Sequence, residues 1–212
     1  MANIYVITSL KAGSGKTTIA MHLCEYLKHN HRTMLLDADL TTDHFEWALQ
    51  QDKNLAFEHL DIAENDAKTL DQRMQHLIKQ YDRIVVDIDG HDSKALRSVL
   101  KHADKMIIPT GIGEQDVNLL KEMVELAIAM KQYNPQLRVY VLLNKIPMHT
   151  EVQAIEQANQ LLDNIPGMRF LNTIVYDDSS FAQAMQASRC IGKAHPQQAE
   201  QMDQVLADLL AD

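Results

Sequence analysis

Residues 11–18 read Lys11-Ala12-Gly13-Ser14-Gly15-Lys16-Thr17-Thr18, and the rest of the chain can be placed around them. They follow a short β-type run, residues 4–8, and open a helical pattern, residues 17–28. In that position Gly13 and Gly15 let the backbone turn tightly and approach a ligand closely. Successive backbone N–H groups and the first turn of the helix then converge on one point and favour an anion there. Lys16 is placed to reach the outer phosphates of a nucleoside triphosphate, and the Thr17 hydroxyl to meet a Mg²⁺ ion. A strand, a glycine-rich turn and a helix in that order predict an α/β fold with a phosphate site after its first strand.

Outward from the loop, strands and helices alternate. Apolar β-type runs fall at residues 33–36, 56–62, 83–88, 105–109, 138–143 and 170–175. Helical spacing marks residues 68–80, 93–102, 117–133, 151–162, 181–187 and 196–210. Alternation of this kind predicts a mostly parallel, twisted sheet with helices on both faces. Ligands in such sheets bind at the carboxyl ends of the strands, where the polar punctuation falls: Asp37 and Asp39, Asp87, Pro109-Thr110 and Asn144. Asp37 and Asp39 are two apart on an extended chain, so both can face the phosphate site. Asp87 closes the apolar run Ile84-Val85-Val86, as a Mg²⁺-linked carboxylate beside that site would.

Composition sets the frame. The chain has 212 residues, 46% of them apolar, enough for one α/β domain spanning residues 1–212. Its apolar runs are strand-sized, which predicts no membrane span, and its first residues read as a strand and not as a signal peptide. Cys24 and Cys190 form no CxxC pair, so reduced thiols and a cytoplasmic address are expected. A formal net charge of −9 argues against a dedicated nucleic-acid reader with a dominant basic field, while leaving room for a local basic patch.

The loop departs from the common GxxxxGKS/T pattern at its first position, where Leu10 stands, and gains Lys11. KxGxGKTT resembles the deviant Walker A motif of the ParA/MinD family of P-loop ATPases, usually KGGxGKT followed by Thr or Ser. The resemblance extends through RIVVDIDG at residues 83–90, GHDSKALRSVL at residues 90–100, DKMIIPTGIGEQD at residues 104–116 and RVYVLLNKIP at residues 138–147. It covers residues 3–192, and the GHDSKALRSVL stretch is similar to the switch of small plasmid-type members. It implies a P-loop NTPase fold, ATP with Mg²⁺ as ligands and slow hydrolysis stimulated by a partner. Carried over, residues 11–18 with Asn144 hold the nucleotide, and Lys11 reaches across a dimer to the partner's ATP. Lys16 is catalytic with Lys11. Asp39 orients the attacking water, and Thr17, Asp37 and Asp87 serve the metal. NKxD would signal guanine, but Asn144-Lys145-Ile146-Pro147 lacks the aspartate, which favours ATP. Two departures stand out: Ala12 for the usual glycine, a strain if φ is positive there, and His91 for the usual arginine.

The resemblance further implies an ATP-dependent homodimer that binds DNA non-specifically, associates with the nucleoid when ATP-bound, and is released by a ParB-like or other cargo adaptor. Phosphate contacts of that kind need a few cations, for which Arg169, Arg189 and Lys193 are the candidates. A MinD-like positioning ATPase on a membrane is the alternative. There the last helix would have to be basic and amphipathic, whereas here its outer face carries Glu200, Asp203 and Asp208. A metabolic or redox relative on the same fold is the third reading. An iron-protein-like role would need cysteines that bridge a cluster, which Cys24 and Cys190 do not fit.

Overall fold

In the computed structural model, residues 2–38, 55–60, 67–153, 155, 156, 160, 166–187, 190, 191 and 195–211 are described. Seven strands are β1 (Asn3–Ile7), β2 (Thr33–Ala38), β3 (Leu55–His59), β4 (Arg83–Ile88), β5 (Lys105–Thr110), β6 (Arg138–Leu143) and β7 (Arg169–Phe170). Among the described residues six helices are α1 (Lys16–Leu27), α2 (Ala67–Gln80), α3 (Lys94–Leu100), α4 (Glu114–Met130), α5 (Ser179–Gln186) and α6 (Pro196–Leu210). The strands form one sheet in the order β3-β2-β4-β1-β5-β6-β7, and every pairing in it is parallel. The chain crosses from the β2 side to the β5 side of β1, so the carboxyl end of β1 is the switch point of the sheet.

Strand residues alternate between two cores. Ile4, Val6, Leu36, Val86, Ile108 and Val141 face α2, α3 and α4, whose Leu70, Met74, Val99, Leu120 and Ala127 fill the space between. Tyr5, Ile7, Leu35, Val85, Ile107 and Tyr140 face α1 and α6, through Ile19, Leu23, Met202, Val205 and Leu206. Covering both faces explains why the strands read as continuous apolar runs. Each such side chain, fully buried, contributes about 1.5–3 kcal/mol of burial free energy before entropy is counted.

Differences from the sequence expectation are local. The helix expected at 117–133 begins at Glu114, because Gly113 is an extended N-cap and Glu114 and Asp116 occupy the favourable first turn. The strand expected at 170–175 is only Arg169–Phe170. Leu171 N–H then bonds Val141 C=O and Val175 N–H bonds Leu143 C=O, so four steps on this segment span two on β6. The surplus bulges out of the ladder. The strand expected at 56–62 is Leu55–His59, and its last two expected residues, like much of the helix expected at 151–162, lie outside the described residues.

Candidate nucleotide-binding site

The loop after β1 is held at its start by the sheet and then by local bonds. Thr8 N–H bonds Ile107 C=O at 3.0 Å, Lys11 N–H bonds Ser9 Oγ at 3.2 Å, and Ser14 N–H bonds Lys11 C=O at 3.3 Å. Gly13 and Gly15 take φ +67° and +92°, the latter as N-cap of α1. Ala12 is not among the positive-φ residues, so the departure from glycine carries no backbone strain. A cavity of about 460 Å³ lies over the loop, lined by Ala12–Thr18 with Ser9, Leu10, Asp89, His91, Lys145 and Met185. The Ser14 hydroxyl is buried there without a hydrogen-bond partner among the described residues, as an anion-accepting donor would be.

Carboxylates meet this loop from neighbouring strands. Asp37 on β2 and Asp87 on β4 are register partners, and Asp87 is also paired with Ile7 at the end of β1. Both carboxylates are fully buried. Thr17 Oγ1 donates to Asp87 Oδ2 at 2.6 Å, which places a hydroxyl and a carboxylate side by side at the foot of α1. Among the described residues no group of three or more His, Cys, Asp or Glu side chains gathers as a metal cage. The hard oxygens of Thr17, Asp87 and Asp37 suit Mg²⁺, which takes few protein ligands and keeps waters and phosphate oxygens for the rest. His59, at the end of β3, lies 2.8 Å from Asp37 Oδ2 through Nδ1 and orients that carboxylate. The sequence reading missed it: His59 is the register partner of Asp37 on the neighbouring strand, a pairing that no local pattern in the sequence records.

At the outer rim His91 Nδ1 lies 2.8 Å from Asp89 Oδ2. Burial pushes the Asp89 carboxyl up, but the hydrogen bond and charge of His91, the Gly90 N–H and the charge of Lys16 outweigh it, leaving Asp89 below the usual range. Asp92 instead takes a two-pronged bond from Arg97, at 2.6 and 2.7 Å. A second cavity of about 150 Å³ shares Gly15, Thr18, Lys145 and Met185 with the first, and adds Asn144, Val175, Tyr176, Phe181 and Met202. Its mixture of apolar walls and a few polar groups suits a nucleotide base. Asn144 is 6% exposed, and its Nδ2 donates to Ser14 C=O at 2.6 Å, bracing the loop with one of its two amide hydrogens. Backbone bonds of Leu143 and Ile146 with Val175 and Asp177 hold the cavity wall together.

Of the remaining expected residues, Lys11 and Arg169 stand apart from both cavities. Lys11 is ion-paired with Asp116 at 2.8 Å and does not line either cavity. Arg169 is exposed on the edge strand β7, at the level of Tyr140 and below the carboxyl edge. Asp39, Arg189 and Lys193 lie outside the described residues. Cys24 is a core residue and Cys190 packs against the same core, its thiol pushed up to about 12 by burial. No helix among the described residues is long and apolar enough to cross a membrane.

The chain belongs to the CobQ/CobB/MinD/ParA nucleotide-binding domain family, whose model matches residues 5–189. It is 31% identical over 126 residues, 59% of this chain and 56% of the relative, to maintenance of carboxysome distribution protein A from Gloeobacter kilaueensis. The chain spans about half the length of the curated relatives it matches. Its fold is similar to that of a McdA variant from Cyanothece in complex with ATP, with a TM-score of 0.82 at 15% identity over 98% of this chain and 96% of that one. A plasmid partition protein from Borrelia burgdorferi shares the fold at a TM-score of 0.71 and 15% identity, over 99% of this chain and 98% of that one.

Proposed function

We propose that this member of the family is an ATPase that dimerises on ATP and positions a cargo, a replicon or a protein assembly, by binding DNA non-specifically. The observation that carries the reading is the pairing of Thr17 with Asp87 beside a glycine-shaped anion loop whose following helix points its N-terminus at the same cavity. A relative named for carboxysome distribution and a structural neighbour that is a plasmid partition protein favour positioning over metabolic chemistry.

In this reading the chain's residues divide the work by place. Backbone N–H groups of residues 12–16 and the Lys16 ammonium hold the phosphates. Mg²⁺ would supply charge compensation between the outer phosphates, held by Thr17 and Asp87 with Asp37 behind its waters. Lys11 adds a cation from a partner protomer, and Asp39 orients the attacking water. Asn144 and the walls of the second cavity take the adenine. A cargo-bound adaptor stimulates turnover, and Arg169, Arg189 and Lys193 contribute to DNA contact.

Light scattering with ADP, with ATP, and with ATP plus non-specific duplex DNA tests this reading. ATP should double the mass, and the dimer should bind DNA with an affinity that falls steeply with salt. Lys16→Ala should lose both responses along with ATP binding. A wild-type mass unmoved by ATP, or a dimer indifferent to DNA, removes the DNA-based positioning mechanism. Normal ATP affinity in Lys16→Ala removes the assignment of the loop.

A further inference from the structure

We propose that Asp116 and Gly111 form a seat that withdraws the Lys11 ammonium from the phosphate cavity, so that Asp116 is a positioning residue and release of Lys11 is a required step of turnover. The inference rests on the reading above, in which Lys11 acts on phosphate. Lys11 leaves the loop toward the N-terminus of α4. Its Nζ lies 2.8 Å from Asp116 Oδ1 and 2.9 Å from Oδ2, and it does not line the phosphate cavity. The carboxylate is itself fixed: its Oδ2 accepts the Gly113 N–H at 3.1 Å, and it sits in the first turn of α4, where the helix dipole favours negative charge.

Gly111 is the third part of the seat. A Cβ at that position would lie 2.2 Å from Asp116 Oδ2 and 2.7 Å from Lys11 Nζ. Its φ is outside the left-handed region, unlike those of Gly13, Gly15 and Gly167, so the backbone does not require glycine there. The ion pair does. A lysine merely solvated at the surface would need neither the capped carboxylate nor the missing side chain beside it. The Lys11 side chain is 38% exposed and that of Asp116 13%, so solvent screens the pair. A pair of this exposure biases the lysine by about two- to five-fold, enough to slow turnover and weak enough for a dimer contact to overcome.

Two substitutions open the seat by different means. Asp116→Asn removes the charge while its amide oxygen can still accept the Gly113 N–H, so the helix cap survives. Gly111→Ala removes the space. Each is compared with wild type in unstimulated ATP turnover at saturating ATP and protein, in ATP affinity, and in thermal unfolding midpoint, and each is repeated in a Lys11→Ala background. Turnover should rise about two- to five-fold in Asp116→Asn with ATP affinity and unfolding midpoint unchanged, and neither substitution should alter turnover once Lys11 is gone. If Gly111→Ala does not fold, Asp116→Asn decides alone. Unchanged or lower turnover in Asp116→Asn beside a slow Lys11→Ala overturns the seat. So does an increase that persists without Lys11. A Lys11→Ala protein as fast as wild type is a different failure, because it removes Lys11 from the reaction and the reading beneath with it.

Discussion

Gly90 is where a single hydrogen atom lets the segment after β4 touch the phosphate loop. A Cβ there would lie 2.3 Å from the Ser9 carbonyl carbon and 2.4 Å from the Leu10 nitrogen, both backbone atoms that cannot swing aside. Gly90→Ala should therefore push Asp89 and His91 away from the cavity they line. ATP turnover should fall at least about ten-fold, and stability by about 1–3 kcal/mol, the usual cost of overpacking a tight contact. Turnover and unfolding midpoint matching wild type would mean that this contact does not set the geometry of the site. The comparison with Gly13 and Gly15 shows what a sequence can announce about a glycine. Those two sit in a turn whose conformation is local, so the motif alone exposes them, and both do take positive φ. Gly90 and Gly111 are required by atoms distant in sequence, which no local pattern records. Asp116 was hidden for the same reason: it stands just before the helix expected at residues 117–133, and nothing local marks it until Lys11 is seen against it.

At the scale of elements, α1 joins the phosphate loop to the far end of the chain through one buried imidazole. His22 Nδ1 lies 2.6 Å from Thr18 C=O, and its Nε2 lies 2.8 Å from the Ile191 N–H. Only the neutral ring with its proton on Nδ1 satisfies both, because Nε2 must accept. His22 is 4% exposed, and burial pushes its imidazole below the ordinary value against the pull of Thr18 C=O. The sign follows. Below about pH 6.5 the unfolded chain takes up a proton at this position that the folded chain resists, so stability present above that pH falls as the pH drops. His22→Gln removes that titration. The difference in unfolding free energy between wild type and His22→Gln should shrink as the pH is lowered from about 7.5 to 5.5, by up to roughly 1.4 kcal/mol for each pH unit within the window. Parallel curves for the two proteins would remove the role of His22. The sequence marked α1 as a helix by its apolar spacing, and that spacing hid His22 among core residues. Its partner Ile191 stands 169 residues away. The existence of the strands was easier to read than their length: all seven β-type runs became strands, but the bulge after Phe170 depends on how that segment meets β6, which periodicity does not report.

For the whole molecule the decisive fact is that both faces of the sheet are already covered, which leaves the carboxyl edge for chemistry and commits α6 to the core. The alternation of elements predicted both covered faces, and with them the gathering of the loop, Asp37, Asp87 and Asn144 on one edge. The apolar face of the last helix pointed to packing on the core, but not to what holds its C-terminal end. Met202, Val205, Leu206 and Leu209 of α6 are at most 2% exposed, packed on Tyr5, Leu35 and Ile107 across α1. At its C-terminal end the buried Lys105 ammonium donates to Leu209 C=O and lies over the Tyr140 ring, satisfying a helix terminus and a buried charge together. A helix that lay on a membrane would instead keep its apolar face exchangeable between protein and lipid. The two arrangements respond oppositely to Leu206→Asp. If α6 is a core element, the substitution buries a charge in place of a packed side chain and should cost about 4 kcal/mol or more, lowering the unfolding midpoint sharply. Sedimentation of the protein with anionic vesicles should stay at background for wild type and variant alike, with or without ATP. If α6 is a lipid-binding face, Leu206→Asp should remain as stable as wild type and abolish vesicle binding that wild type shows. The second pattern would turn the proposed surface for positioning from DNA to membrane while leaving the phosphate site as it stands, because α6 meets that site only at Met202, in the wall of the base cavity.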